Sequence, residues 1–383
     1  MIRLSTQRLR DGMIMAQSIY NRKGASFLTR GTVLNQQYIQ QLKQIGVTHV
    51  NVTSMDANIQ LMPKADIVQD ETRQAAVSRL FDFYEKVQDN GSMSDVGPLQ
   101  DVSEKIIMDL VMQPDGLVQM TDLRLFDDYT FSHSVNVAAL SAMIGVALKF
   151  SQPELMDLTL GALLHDIGKL DVPIEILNKP SSLNDDEFAM IKNHPVSGYD
   201  RMMGMDMKKL NVRTLASIAR QHHEHMDGHG YPDHAKGGQI HKYAQIVAVA
   251  DVYDALTSSR AYKKAYPPHV AYKIMTKCSG KQFNEDLLNT FFDHVAIYPV
   301  GCILKTNWGL GIVKKVRAGL TRFPILTIFT NTHNDLLETP LDIDIADYGL
   351  EAIHSVMDDM EVFSTIRKLG VDPSQYLLND EES

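Results

Sequence analysis

Five stretches of this chain with helical apolar spacing each carry a histidine or an aspartate on the apolar face. His133 lies four residues before Val137 and seven before Leu140, so the three share one side of a helix. His165 follows Leu158 by seven residues and Ala162 by three, and His194 follows Ile191 by three. His222 follows Leu215 by seven, Ile218 by four and Ala219 by three, and Asp251 follows Val247 by four. One histidine on an apolar face is ordinarily a satisfied core residue. Repetition argues otherwise, because each unpaired buried polar group costs roughly 1–3 kcal/mol. A helical core that brings these faces together, with the polar atoms sharing a metal centre, satisfies them all at once.

The same periodicity runs through most of residues 99–297. Val137, Leu140, Ile144 and Leu148 mark one helix, Leu155, Leu158 and Ala162 a second, Leu215, Ile218 and Ala219 a third, and Ile246, Val247 and Ala250 a fourth. Asn184, with Glu187 three residues on, forms a capping box that opens a helix carrying Phe188 and Ile191. Residues 1–62 read as a small α/β regulatory domain. Its helix covers 36–44, with Ile39 and Leu42 on one face, stops at Gly46, and leads to a closing strand at Val47, Val50 and Val52. Residues 63–98 read as a connecting helix, with Ala76, Leu80, Phe83 and Val87 at helical spacing, and a polar, turn-rich linker at 89–98. After residue 298 the pattern changes to three short strands, at 299–304, 311–316 and 324–329, followed by an acidic helical tail to 383. The expected fold is mainly α: a helical bundle core with a small N-terminal α/β domain and a small C-terminal β-rich extension.

Composition narrows the function. At 383 residues the chain is expected to hold two or three domains. Its two cysteines, Cys278 and Cys302, exclude a disulfide framework and a Cys-rich zinc site. A net charge of −10 argues against binding a nucleic-acid polymer. No run of 18 apolar residues occurs, and the N-terminus lacks the apolar core of a signal peptide, so a cytoplasmic chain without a membrane span is expected. The charge is uneven. Residues 1–50 hold seven Lys/Arg against one acid, and residues 334–383 hold thirteen acids against two Lys/Arg. The plain reading is two solvated surfaces; the sharper one is that the ends attract each other or a partner.

Two strings carry most of the histidines: HisAspIleGlyLys at 165–169 and HisHisGluHisMetAspGlyHisGlyTyrPro at 222–232. Imidazole nitrogen and carboxylate oxygen suit borderline divalent metals, and an aspartate beside a histidine can bridge two ions. Asp254, one turn beyond Asp251, is placed to fix the tautomer of a ligand histidine. A third string, AlaAspValTyrAspAlaLeuThrSer, covers 250–258. With the order His133, His165-Asp166, His194, His222-His223, Asp251, the chain over 110–297 resembles the HD-GYP family, the subset of HD-domain metal phosphohydrolases that cleave cyclic di-GMP. The N-terminal unit resembles a small domain often found ahead of such cores.

The resemblance implies two divalent ions per chain, iron or manganese. One is held by His133, His165, Asp166 and Asp251, the other by His194, His222 and His223, with Asp166 bridging. It implies a water activated between the ions for in-line attack on phosphorus, giving linear pGpG with onward cleavage to GMP left open, and hence a bacterial signal-transduction enzyme that lowers a second messenger. Asp166 and Lys169 are then the candidate catalytic residues, Lys169 meeting a phosphate oxygen or assisting the leaving group. Arg260 is a candidate phosphate clamp, its fork matching phosphate oxygens; an ordinary surface arginine is the alternative. Gly228, Gly230, Tyr231 and Pro232 shape a loop. The glycines permit tight turns, Pro232 restricts one dihedral, and Tyr231 offers a ring to stack a guanine. The same loop is a candidate contact for proteins that make cyclic di-GMP, and a homodimer is an allowed arrangement.

Three positions depart from the family pattern. Tyr129 stands where some relatives carry a glutamate that helps hold a third metal, so two ions are expected. His225 follows HisHisGlu where Arg or Lys is common, and Ala261 replaces the proline of an ArgProTyr string at 260–262. His225, His229, His234 and His241 are expected in exposed loops. The alternatives to a cyclic di-GMP phosphodiesterase are an HD-type phosphohydrolase of another cyclic dinucleotide or nucleotide, and a non-catalytic signalling adaptor. Retention of every expected ligand favours an enzyme.

Overall fold

The computed structural model describes residues 2–16, 18–20, 26–45, 47, 49–52, 68–90, 95–112, 129–177, 179, 181–204, 211–258, 265–371 and 373–377. The N-terminal unit holds β1 (Ile2–Ser5), β2 (Ile19–Tyr20), β3 (Ser26–Leu28), α1 (Gln36–Gln44) and β4 (His49–Val52). Strands β1 and β4 pair antiparallel, as do β2 and β3. Asn35 caps α1 by accepting from the Tyr38 amide at 2.8 Å. Ile39 and Leu42 then turn onto Leu4, Met15, Leu34 and Val50 in a small separate core.

The middle of the chain is helical: α2 (Asp70–Asn90), α3 (Gly97–Val111), α4 (Tyr129–Ala147), α5 (Gln152–Leu163), α6 (Ile174–Leu177), α7 (Asp185–Lys192), α8 (His194–Met203), α9 (Val212–Gln221), α10 (Lys242–Thr257), α11 (Pro268–Thr276) and α12 (Glu285–His294). A short 3-10 turn, Ile167–Asp171, follows α5. The capping box at α7 forms as expected, with Glu187 N donating to Asn184 Oδ1 at 2.8 Å and Asn184 N to Glu187 Oε2 at 2.9 Å. α4 packs against α5 and α10, while α8 packs against α9 and the 3-10 turn.

The expected connecting helix forms as α2 and packs into the helical core. Val68, Ala76, Leu80, Phe83, Tyr84 and Val87 belong to the same hydrophobic cluster as α4, α5, α9 and α10. Spacing alone shows that a helix has an apolar face, not which neighbour covers it. The linker expected over 89–98 is shorter than its span, since α2 runs to Asn90 and α3 begins at Gly97; residues 91–94 lie outside the described set.

The C-terminal unit is a five-stranded antiparallel sheet in the order β8-β7-β6-β5-β9, built from β5 (Ile303–Thr306), β6 (Gly309–Lys315), β7 (Ile325–Thr330), β8 (Leu336–Asp344) and β9 (Ile353–Val356). The three predicted strands are β5, β6 and β7. The stretch expected to open a helical acidic tail instead supplies β8 and β9, and only α13 (Asp359–Leu369) is the expected helix. Both missed strands are sheet edges. β8 is exposed at most positions and contains Pro340, so it shows no alternating apolar face and is held by its backbone pairing to β7. α13 lies against β1. Among the described residues no helix is long and apolar enough to cross a membrane.

Candidate metal centre

The expected ligands converge from five places in the helical core. α4 supplies His133, the turn after α5 supplies His165 and Asp166, and α8 begins with His194. His222 caps the C-terminus of α9, His223 follows it, and α10 supplies Asp251. Two sets of ligand atoms form, each with all its atoms within 4.8 Å of one another: His133, His165 and Asp166, and Asp166, His194, His222 and His223.

Asp166 belongs to both sets because its two oxygens face different ways. Oδ2 lies 3.3 Å from His165 Nε2 and 3.9 Å from His133 Nε2. Oδ1 lies 3.2 Å from His194 Nε2 and 3.8 Å from His222 Nε2. Asp251 spans the same gap from the other side, with Oδ1 3.1 Å from His133 Nε2 and Oδ2 3.9 Å from His223 Nδ1. His133, His165, Asp166, His194 and His222 are buried, whereas the His223 side chain is 25 % exposed. The centre therefore opens to solvent beside His223 and Lys169.

Local chain geometry aims the rings. His165 Nδ1 donates to the Ala162 carbonyl at 2.7 Å, His194 Nδ1 to the Ile191 carbonyl at 2.6 Å, and His222 Nδ1 to the Ala219 carbonyl at 2.9 Å. Each bond runs from a histidine to the carbonyl three residues earlier. A carbonyl can only accept, so Nδ1 carries the proton and Nε2 keeps its lone pair turned inward. His133 is held in the same sense by Asp254, whose Oδ2 lies 2.7 Å from Nδ1.

These atoms fit a cation. His194 Nε2 and His222 Nε2 are 3.3 Å apart, two lone pairs pointed at each other. His165 Nε2 and Asp166 Oδ1 are buried without a hydrogen-bond partner, a cost that metal coordination removes. Burial pushes His222 well below the ordinary imidazole value, helped by the His223, His165 and His194 rings, and burial takes His223 down to about 3. Both rings are neutral at neutral pH, as a ligand must be. Burial opposes charge on His133 too, but its hydrogen bonds with Asp251 and Asp254 raise it to about 9, so Nε2 carries a proton, held by Asp251, that an ion must displace on binding. Burial likewise disfavours the Asp166 carboxylate, yet Lys169 and His165 hold it well below the carboxylate range. The Lys169 ammonium pairs directly with Asp166 Oδ2. Nitrogen and carboxylate donors in this mixture suit iron, manganese or zinc.

Several residues that shape the centre were not singled out in the sequence. A Cβ on Gly168 would lie 2.0 Å from the His194 carbonyl oxygen, so only glycine lets the turn carrying Asp166 reach the start of α8. Gly168→Ala is expected to lower stability by roughly 1–3 kcal/mol and to weaken metal binding by parting Asp166 from His194; unchanged melting and unchanged metal affinity would contradict this. Glu224, buried beside the ligand pair, accepts from the Asp233 amide at 2.6 Å and the Ala235 amide at 3.0 Å and so pins the loop that follows. Its place directly after His222-His223 was the available signal.

In the Gly-Tyr-Pro loop, Gly228 adopts a left-handed φ of +83° as expected. Gly230 serves a different end. A Cβ there would lie 2.4 Å from Glu224 Cα, so the loop backbone closes directly on the ligand segment. The Tyr231–Pro232 bond is cis. Tyr231 stacks on His223 with ring centroids 4.7 Å apart and planes 28° apart. One face of the Tyr231 ring is thus taken by a candidate ligand. Lys192 Nζ lies 5.2 Å from the Tyr231 ring centroid and 4.9 Å from that of Phe188. Arg260 lies outside the described residues, as do Ala261 and Tyr262, and the side chain of Tyr129 is not among those described. Of the additional histidines, His229 and His234 are exposed, while His225 and His241 are half-buried, His241 accepting from the Tyr243 amide at 3.2 Å.

Residues 104–287 match the family model described as HD domain. A cyclic di-GMP phosphodiesterase of Pseudomonas aeruginosa is 34 % identical over 260 residues, 68 % of this chain and 61 % of that protein. The cyclic di-GMP phosphodiesterase response regulator RpfG of Xanthomonas campestris is 37 % identical over 158 residues, 41 % of each chain. A 3′3′-cGAMP-specific phosphodiesterase of Vibrio cholerae is 38 % identical over 148 residues, 38 % of this chain and 31 % of that one. The chain thus spans from about a third to about three fifths of the length of these relatives. The matched segment takes in every converging ligand from His133 to Asp251. Residues 104–287 are therefore similar to the HD domain family.

Proposed function

We propose that this chain is a metal-dependent phosphodiesterase that hydrolyses cyclic di-GMP to linear pGpG. The observation that carries the reading is Asp166, whose two oxygens face separate sets of inward-turned imidazoles. His133, His165, Asp166 and Asp251 would hold one divalent ion, and Asp166, His194, His222 and His223 a second, with iron or manganese the fitting metals. Such ions would supply positive charge for the phosphate and lower the pKa of a water.

The chain's own groups do the rest. The carbonyl bonds to His165, His194 and His222, and Asp254 on His133, keep the donor atoms oriented without reorganisation. Lys169, partly exposed at the mouth, offers an ammonium to a phosphate oxygen or a proton to the departing ribose 3′-oxygen. In the balanced step, water adds its oxygen to phosphorus, the phosphorus–O3′ bond breaks, and O3′ leaves as a hydroxyl. Tyr231 props His223 with one face of its ring and is retained as a candidate surface for stacking a guanine, with Arg260 a candidate phosphate contact. The Gly-Tyr-Pro loop remains a candidate surface for proteins that make cyclic di-GMP.

The similarity to a 3′3′-cGAMP-specific phosphodiesterase supports a second reading, hydrolysis of that mixed dinucleotide. The test is chromatography of products from the Mn(II)- or Fe(II)-loaded chain supplied with each cyclic dinucleotide in turn. Turnover of cyclic di-GMP at least as fast as that of cGAMP supports the first reading; cGAMP turnover alone overturns it in favour of the second. With tyrosine in place of an acid at 129, two ions are expected and pGpG should accumulate. GMP as the sole product at short times would contradict that expectation.

A further inference from the structure

Arg73 is buried to 1 % exposure in the helical core, an unusual place for a guanidinium. It sits on α2, outside the segment that matches the HD domain. Its Nη1 donates to Asn136 Oδ1 at 2.8 Å. Asn136 Nδ2 donates to Asp254 Oδ1 at 2.8 Å, and His133 Nδ1 lies 2.7 Å from Asp254 Oδ2. Asn136, Asp254 and His133 are all buried as well, at 2 %, 0 % and 4 % exposure.

The direction of every bond follows from the first. A guanidinium has no acceptor, so the Asn136 carbonyl oxygen must face Arg73. The amide NH2 must then face Asp254. One carboxylate oxygen is taken by that NH2 and by the Ser258 hydroxyl at 3.1 Å. The other remains for His133 Nδ1–H, which leaves Nε2 as the donor toward the centre. Without Arg73 the Asn136 oxygen is left buried without this donor, and the amide is held from one side only, by Asp254.

We propose that Arg73 is a positioning residue for the His133 side of the metal centre, acting through Asn136 and Asp254. This rests on the metal-centre reading above. A purely structural arginine would support packing between α2 and α4 and leave the ligand ring alone. The positioning role makes the affinity for one ion depend on a side chain three links away.

The test is Mn(II) binding by chelator competition, with no substrate present, on the full chain. The proteins compared are wild type, Arg73→Met, Arg73→Lys, Asp254→Asn and the Arg73→Met/Asp254→Asn pair. Melting of each metal-chelated protein is followed in parallel. Arg73→Met is expected to weaken one of two Mn(II) sites by about 10- to 100-fold, the usual scale for groups that orient a ligand, and to leave the other unchanged. Arg73→Lys, which keeps the charge, should recover part of the loss. In the Asp254→Asn background, Arg73→Met should cost nothing more. If Arg73→Met does not fold, Asn136→Ala interrupts the same chain with Arg73 in place and should show the same one-site loss. The inference is overturned if Arg73→Met, or Asn136→Ala in its stead, melts lower yet binds both ions at wild-type affinity, or if its loss adds to that of Asp254→Asn. A wild-type chain that binds no Mn(II) overturns the metal reading, and this inference with it.

Discussion

Replacing Asp166 with alanine is expected to remove both metal ions together and to lower cyclic di-GMP turnover by at least about three orders of magnitude, the scale seen when a group on which a whole catalytic unit depends is lost. The reason is the split geometry of its carboxylate, one oxygen 3.3 Å from His165 and the other 3.2 Å from His194. A residue serving one ion would cost one ion. Asp166 also balances the Lys169 ammonium, so melting of the chelated protein should be followed to separate misfolding from metal loss. Asp166→Asn keeps the shape and loses the charge, and it should show the same paired loss if alanine disrupts the fold. Elemental analysis is the deciding measurement. An Asp166→Ala protein that retains two ions per chain would remove the bridging role.

Lys169 and His133 should part company when each is removed. His133→Ala is expected to lose occupancy at one ion, because that set has few protein donors and His133 faces both Asp166 and Asp251. Lys169→Ala should retain both ions and lose about 10²–10³ in turnover at saturating substrate, the usual effect of deleting one preorganised charge aimed at a developing anion. Its side chain is 27 % exposed at the mouth, so it can exchange Asp166 for a phosphate oxygen without crossing the core. Turnover and metal content must come from the same samples. A metal-replete Lys169→Ala enzyme with wild-type turnover would confine Lys169 to its pairing with Asp166.

The candidate ligand histidines are legible in the amino-acid order because helical spacing is local. His133 shares a face with Val137 and Leu140, and burying that face buries the ring. The tautomers are latent in the same short range, since His165, His194 and His222 each find a carbonyl three residues back. Asp254 can be expected for a similar reason, one helical turn from Asp251. The N-terminal helix and the capping box at Asn184 are local as well, and both form at the expected residues.

Tertiary structure decided what depends on neighbours far away in the chain. Arg73 meets Asn136 across 63 residues, and His133 meets Asp254 across 121. Nothing in the spacing of α2 says that Arg73 turns inward toward Asn136 rather than out to water. The edge strands β8 and β9 were invisible for a related reason: their hydrogen bonds to β7 and β5 come from the backbone, which every sequence carries, not from an alternating apolar face. Tyr231 shows the same division in one residue. Its position in the Gly-Tyr-Pro loop was plain, but which side chain lies against its ring depends on Gly230 letting the loop fold back onto His223, a contact that exists only once α9 has delivered that histidine to the centre.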